Sequence, residues 1–285
     1  MEWTYQYHQV NGITLHAGHM GMQHSRIMVF LHGFPEWGGA WKKQAEYFAK
    51  NGFHVIAPDQ RGYNLSSKPE PVREYVLKNL TADIAALIQS LTKEPVFVTG
   101  HDWGGVVAWT FAQHYSHILH KLIILNMPHP QVMKNNLKHN PGQMLKSWYA
   151  AMFQLPAAPE FLCSMFHFKG LELSLKNLAR KHTFSSSDIA VYKKTWSQPR
   201  AMRSMINWYR AFKFNQMNTD LDVTVPVLII WGTKDSFLSA IMARESIQRC
   251  QNGKLVLLEQ ASHWLHHEEP DQVNSLILDF CNQKE

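Results

Sequence analysis

Between Val96 and Trp109 the sequence reads VFVTGHDWGGVVAW: a short apolar run, then Gly100-His101-Asp102-Trp103-Gly104, then a stretch of helical character. Small residues around the aspartate permit a sharp strand-to-helix turn that pushes the middle side chain into the open. The following helix presents free N–H groups and the positive end of its dipole to an anion. A carboxylate held there stays ionised and can attack carbon. In the competing explanation the stretch is a glycine-rich turn and Asp102 only caps the helix.

The rest of the chain repeats the order of strand and helix. YQYHQVNGITLHAG alternates and is interrupted by Asn11-Gly12, which predicts a hairpin at a sheet edge. RIMVFL, Arg26–Leu31, is a continuous apolar run suited to a strand covered on both faces. A helix is expected over Trp37–Lys50, a strand over His54–Ala57, and a helix over Arg73–Leu91 with Leu77, Leu80, Ile84 and Leu87 on one face. Asn64–Glu74 between them is a loop with two prolines. Strand Val96–Thr99, helix Gly104–Tyr115 and strand Lys121–Leu125 follow. From Pro128 to about Leu221 the alternation stops, and a Met-, Trp-, Tyr-, Phe- and Lys-rich segment takes helical spacing with Pro breaks. The alternation resumes with a strand at Val225–Trp231, a helix near Leu238–Arg249, a strand at Leu255–Leu258 and a closing helix from Asp271 to Phe280. This predicts one mostly parallel sheet with helices on both faces, the fold class α/β. A helical cap is inserted: residues 1–130 and 219–285 form the core and 131–218 the cap. Reactive residues then gather at the strand C-terminal ends, and a cap over that end excludes water and shapes a pocket.

Composition narrows the function classes. Hydrophobic residues are 45% and charged residues 18% of the 285, a globular balance. No apolar run reaches membrane-spanning length; VPVLII is typical of the longest. MEWTYQYHQV lacks the basic start and apolar centre of a signal peptide. The net charge of +6 comes from scattered Lys and Arg with no nucleic-acid recognition motif, so a solvated basic surface is expected rather than a nucleic-acid partner. Cys163, Cys250 and Cys281 form neither a CxxC pair nor a zinc-like cluster, and their odd number fits free thiols in a reducing compartment. The 17 histidines are spread widely and no HExxH is present, which argues against a metal site, although His266-His267 is a weak surface-ligand pair.

A carboxylate nucleophile suits an electrophilic sp³ carbon. Attack there gives an alkyl-enzyme ester, whereas attack on an ester or amide would give an anhydride. This argues against esterase, lipase and peptidase activity. The ester must be hydrolysed, which needs a base. His263, in LLEQASHWLHHEEP just past the last strand, is the candidate. Asp235, in VPVLIIWGTKD, is the candidate to orient it, with a turn aspartate as the plainer alternative. The order Asp102, Asp235, His263 is nucleophile, acid, base, as in the α/β-hydrolase triad. In LHGFPE, Leu31–Glu36, the N–H of Phe34 together with that of Trp103 is expected to form an oxyanion hole. His32, Gly33 and Pro35 shape this loop, and His32, Pro35, Trp103 and Phe153 are expected in the substrate pocket.

Across essentially the whole chain the sequence resembles the epoxide hydrolases of the α/β-hydrolase fold. The matching stretches are HGFPE (His32–Glu36), APDQRGYNLSSKP (Ala57–Pro69), GHDWGG (Gly100–Gly105), NMPHP (Asn126–Pro130), WGTKD (Trp231–Asp235) and SHW..HEEP (Ser262–Pro270). The resemblance implies an eight-stranded sheet and two cap tyrosines that hold and protonate the epoxide oxygen. Tyr149 in SWYAAMFQLP and Tyr209 in INWYRAF match those positions. A developing alkoxide needs such donors, whereas packing in an amphipathic helix is the alternative for each ring. Haloalkane dehalogenases also resemble this chain and share the aspartyl-ester route. Fluoroacetate dehalogenases differ, having arginine after the nucleophile where this chain has Trp103. Trp37-Gly38-Gly39 departs from the bulkier aromatic residues of many relatives and is expected to alter the pocket wall or entrance. The implied reaction takes a small apolar epoxide and water to a diol, with no organic cofactor and no metal. It fits detoxification by a cytoplasmic monomer or homodimer with no membrane partner. A haloalkane dehalogenase, a catalytically idle binding domain and a basic nucleic-acid binder are the alternatives.

Overall fold

In the computed structural model, which describes residues 2–283, eight strands form one sheet in the order β1-β2-β4-β3-β5-β6-β7-β8. They are β1 (Thr4–Val10), β2 (Ile13–Met20), β3 (Arg26–Leu31), β4 (Phe53–Pro58), β5 (Val96–His101), β6 (Leu119–Leu125), β7 (Val227–Gly232) and β8 (Gly253–Leu258). The Asn11-Gly12 turn, with both residues at positive φ, joins β1 and β2 antiparallel at one edge. β2 also runs antiparallel to β4, and from β4 onward every pairing is parallel.

Alternate strand side chains enter two separate cores, as a period of two demands. Val29, Leu31, Val98, Leu122 and Ile124 face one; Met28, Phe30, Phe97, Ile123 and Leu125 face the other. The first is covered by α2 (Leu77–Leu91) and α3 (Trp103–His114), the second by α1 (Lys42–Lys50) and α12 (Pro270–Asn282). Both faces being buried explains why β3 and β7 read as unbroken apolar runs. Buried Lys121 reaches the far end of α12, where its Nζ donates to the carbonyls of Phe280 (3.0 Å) and Gln283 (2.6 Å).

Between β6 and β7 come α4 (Pro130–His139), α5 (Pro141–Lys146), α6 (Trp148–Met152), α7 (Ala158–Leu178), α8 (Ser186–Trp196) and α9 (Ala201–Ala211). Prolines open α4 and α5, where a missing N–H costs nothing. Ser185 and Asp188 cap α8 reciprocally. α7 is broken at residues 165–168, three of them at positive φ. The chain ends with α10 (Ile241–Ile247), β8, α11 (Leu265–Glu268) and α12.

Two expected helices start later than their sequence pattern. The segment from Trp37 begins as a 3₁₀ turn over Gly38–Trp41 before α1. Residues 72–75 form a 3₁₀ turn, Val76 is extended, and α2 begins at Leu77. The Leu77 N–H donates to Asn215 Oδ1 at 2.6 Å, so a residue beyond α9 supplies the helix start that local sequence does not encode.

Candidate active site

β5 enters α3 through Asp102, whose backbone (φ 49°, ψ −124°) lies in a region that L-residues rarely occupy. Such a conformation costs about 1–3 kcal/mol and persists only where its surroundings enforce it. Here they are very close. A Cβ on Gly104 would sit 2.1 Å from the Leu31 carbonyl oxygen, and one on Gly33 would sit 2.4 Å from Asp102 Oδ1. Asp102 makes no side-chain capping bond to α3. Its Oδ1 instead accepts the Phe34 N–H at 2.8 Å, from the loop after β3. As the first residue of α3, Trp103 has an N–H with no intrahelical acceptor.

His263 and Asp235 arrive on the loops after β8 and β7. His263 Nδ1 lies 2.7 Å from Asp235 Oδ2, and its Nε2 lies 3.7 Å from Asp102 Oδ2. All three residues are buried. Burial opposes charge on the imidazole, yet Asp235 and Asp102 outweigh it and raise the pKa of His263 to about 10. Burial also opposes charge on Asp235. His263, Asn126 and the Leu238 N–H overcome this and hold the carboxyl below its ordinary range. His263 therefore favours its protonated form in the resting state, with Asp235 and Asp102 on either side of the ring.

Asn126, at the end of β6, has no role in the sequence-based expectations beyond its place in the NMPHP stretch. It sits at φ 42°. Its Nδ2 donates to Asp235 Oδ2 at 2.5 Å, and its Oδ1 accepts the Gly232 N–H at 2.7 Å. The signal in the sequence is a turn-tolerant asparagine directly after a strand. Asn126→Ala removes both bonds at a positive-φ position. It is expected to lower the unfolding free energy by roughly 1–3 kcal/mol, read by urea denaturation.

Above Asp102 lies a cavity of about 700 Å³ whose lining includes Phe34, Pro35, Tyr149, Phe153, Tyr209 and His263. The Tyr149 and Tyr209 rings are 6.0 Å apart and nearly perpendicular. Burial, reinforced by nearby Asp102, raises the pKa of Tyr149 far above its ordinary value; Tyr209 is raised by burial, by Tyr149 and by Asp102. Both phenols therefore stay protonated and able to donate. Trp103 packs edge-on against Tyr209 at 4.9 Å and borders a smaller adjoining cavity of about 180 Å³. A groove of about 810 Å³ beside Glu160, Arg200 and Arg210 touches none of the triad.

His32 does not line the cavity over Asp102, contrary to expectation. It is fully buried; its Nδ1 lies 3.1 Å from the Gly33 carbonyl, and its Nε2 accepts the Gln60 N–H at 3.1 Å. The ring spends both nitrogens on shaping the loop that carries Phe34. Phe34-Pro35 is cis. His266 and His267 are not a surface pair either, since α11 turns His266 inward. They meet the buried Glu36, whose Oε1 accepts from Tyr192 Oη and lies 2.7 Å from His267 Nε2. Among the described residues, Glu36, His266 and His267 are the one cluster whose ligand atoms lie close enough together to hold a metal ion. Burial works against charge on Glu36, but His267, His266 and His101 hold its carboxyl well below the ordinary range. The cluster backs the site, because His101 Nε2 lies 2.9 Å from the carbonyl of His263.

Residues 26–270 match the α/β-hydrolase-fold family. Epoxide hydrolase 1 of Caenorhabditis elegans is 36% identical over 99% of this chain and 71% of its own. The chain belongs to the epoxide hydrolase family. It is also 44% identical to the AB hydrolase superfamily protein YfhM of Bacillus subtilis, over 98% of both chains. The solved inhibitor complex of a Bacillus megaterium epoxide hydrolase superposes with a TM-score of 0.88 at 31% identity, covering 98% of this chain and 100% of that one.

Proposed function

We propose that this member of the family hydrolyses apolar epoxides to vicinal diols through an ester on Asp102. The observation that carries the reading is the cavity itself, which holds a carboxylate and two protonated phenols. Asp102 Oδ1 is already engaged by the Phe34 N–H, which leaves Oδ2 to attack a ring carbon. The carbon–oxygen bond breaks, and Tyr149 or Tyr209 protonates the leaving alkoxide. The proton that His263 gives up once Asp102 is esterified passes through solvent to the tyrosinate; the neutral His263 then takes a proton from water, and the hydroxide adds to the ester carbonyl carbon. The oxyanion that forms on Oδ1 is held by the N–H groups of Phe34 and Trp103. Collapse of this intermediate releases the diol, which takes its proton from His263, and Asp102 is regenerated.

The timing of the base follows from its charge. Esterification removes the negative charge of Asp102, so His263 loses one of the two groups that hold its proton. The alkylation step thereby prepares the base for the hydrolytic step. In the same reading the cap spans residues 131–218, the core is 1–130 with 219–285, and Pro35 and Phe153 form the pocket wall. Detoxification in the cytoplasm, by a monomer or homodimer, belongs to this proposal. Among the described residues no helix is long and apolar enough to cross a membrane.

The test is a single turnover with excess protein in ¹⁸O-water, on small aryl and alkyl epoxides. Unlabelled diol and label in the Asp102 peptide are expected, because the oxygen added to the substrate comes from the carboxylate. Label in the diol would mean direct attack by water, and no diol from any of the epoxides would sink the reading. Halide release from haloalkanes without diol would then favour the dehalogenase alternative.

Tyr149→Phe and Tyr209→Phe are each expected to cut kcat/KM about 10²-fold, and the double variant about 10³-fold or more, by analogy with removing an oxyanion donor. Initial rates on one epoxide at fixed pH measure this. If the rings serve only packing, the rates stay near those of the unmodified protein.

A further inference from the structure

The helical insertion carries an unusual surface. Residues 131–218 contain 13 Lys and Arg against 3 Asp and Glu, a formal charge of +10, while the rest of the chain sums to −4. Where α7 meets α8 the contrast is local: Lys169 and Lys176 of α7 and Lys193 of α8 all bond the single carboxylate of Glu172. The same segment exposes large apolar side chains. Leu145, Trp148, Leu162 and Leu178 are all exposed and line the entrance of the cavity over Asp102. Phe161 and Phe166, on α7, are 68% and 81% exposed. Single exposed apolar residues need no explanation, but several around one opening mark an interaction surface.

We infer that this cationic insertion, with its exposed apolar residues at the mouth of the cavity, docks that mouth onto an anionic phospholipid bilayer. Charge selects the occupant. A second copy meeting the same face would set +10 against +10, whereas an anionic headgroup layer complements it. Exposed Trp, Phe and Leu beside Lys and Arg are the residues of interfacial binding, with rings at headgroup level and cations on the phosphates. This is association with a surface, with no span required. Docking there also explains why the apolar residues ring the entrance: an epoxide dissolved in the bilayer reaches Asp102 without crossing water. That delivery step rests on the proposed activity; the binding does not.

Sedimentation with sucrose-loaded vesicles tests the binding. Phosphatidylcholine alone is compared with a 7:3 mixture of phosphatidylcholine and phosphatidylglycerol, each at about 0.1 M and 0.5 M NaCl, the higher salt shortening the screening length. At least about tenfold stronger partitioning to the anionic vesicles is expected, lost at high salt. Phe161→Ser/Phe166→Asn should weaken partitioning about tenfold or more, through the lost apolar area. Its turnover of a short water-miscible epoxide should be unchanged, because neither ring lines the cavity. Equal partitioning to both vesicles, or none to either, overturns the inference. So does a concentration-dependent dimer in light scattering that the double variant abolishes while vesicle binding is absent; a second copy would then be the occupant. Vesicle binding by a protein that opens no epoxide would leave the surface standing and the activity refuted.

Discussion

Asp102→Ala is expected to abolish diol formation, with a fall of roughly 10⁴-fold or more in kcat/KM. The reason is geometric as much as chemical. Among the described residues no other carboxylate lines the cavity, so none of them replaces the attacking oxygen. Water attacking the epoxide directly would need a neutral base, and His263 has a pKa of about 10 in the resting protein. Removing Asp102 takes away one of the charges that raise it, so the pKa of His263 in the variant should be lower, as an imidazole NMR titration would show. Removing the carboxylate leaves the Phe34 N–H and one side of His263 without their partner, so the variant is expected to fold with slightly lower thermal stability. A variant that keeps more than about a tenth of the rate would refute the ester route, given the loss expected for a nucleophile.

His263→Gln is expected to separate the two half-reactions. Alkylation needs Asp102 and the tyrosines, so it proceeds; hydrolysis needs the base, so it stalls. The protein should gain the mass of one epoxide on the Asp102 peptide, and steady-state kcat should fall about 10³- to 10⁴-fold. If no adduct accumulates while turnover is lost, His263 is required before the ester forms.

The pH dependence carries a definite sign. With His263 raised to about 10 in the resting protein, hydrolysis of a pre-formed ester should rise with pH through a pKa lower than 10, because the Asp102 charge is gone. For stability the direction is opposite. The imidazolium pairs contribute fully below about pH 6.5, and their contribution is lost as pH rises through about 10.

Much of the candidate site was legible because chain order and strand ends are local properties. GHDWGG, WGTKD and ASHW each follow an apolar run, and all three end on the same edge of the sheet once the strands are parallel. What was not legible depends on contacts distant in sequence. Asn126 steadies Asp235 across 109 positions, and Asn215 starts α2 across 138. His32 looked like a pocket residue because it stands beside Phe34, but only the packed loop shows its ring turned away toward Gln60. His266 and His267 looked exposed because a histidine pair carries no burial signal until α11 folds it against Glu36.

The sequence by itself determined the alternation of strand and helix, the interruption after β6 and the identity of the groups that can react. Hydrophobic periodicity and turn chemistry are written in neighbouring residues. The tertiary structure decided which of those groups meet, how burial and paired carboxylates raise the pKa of His263, and that two tyrosines from separate helices line one cavity with Asp102. Distance, desolvation and charge coupling exist only after the chain has closed on itself.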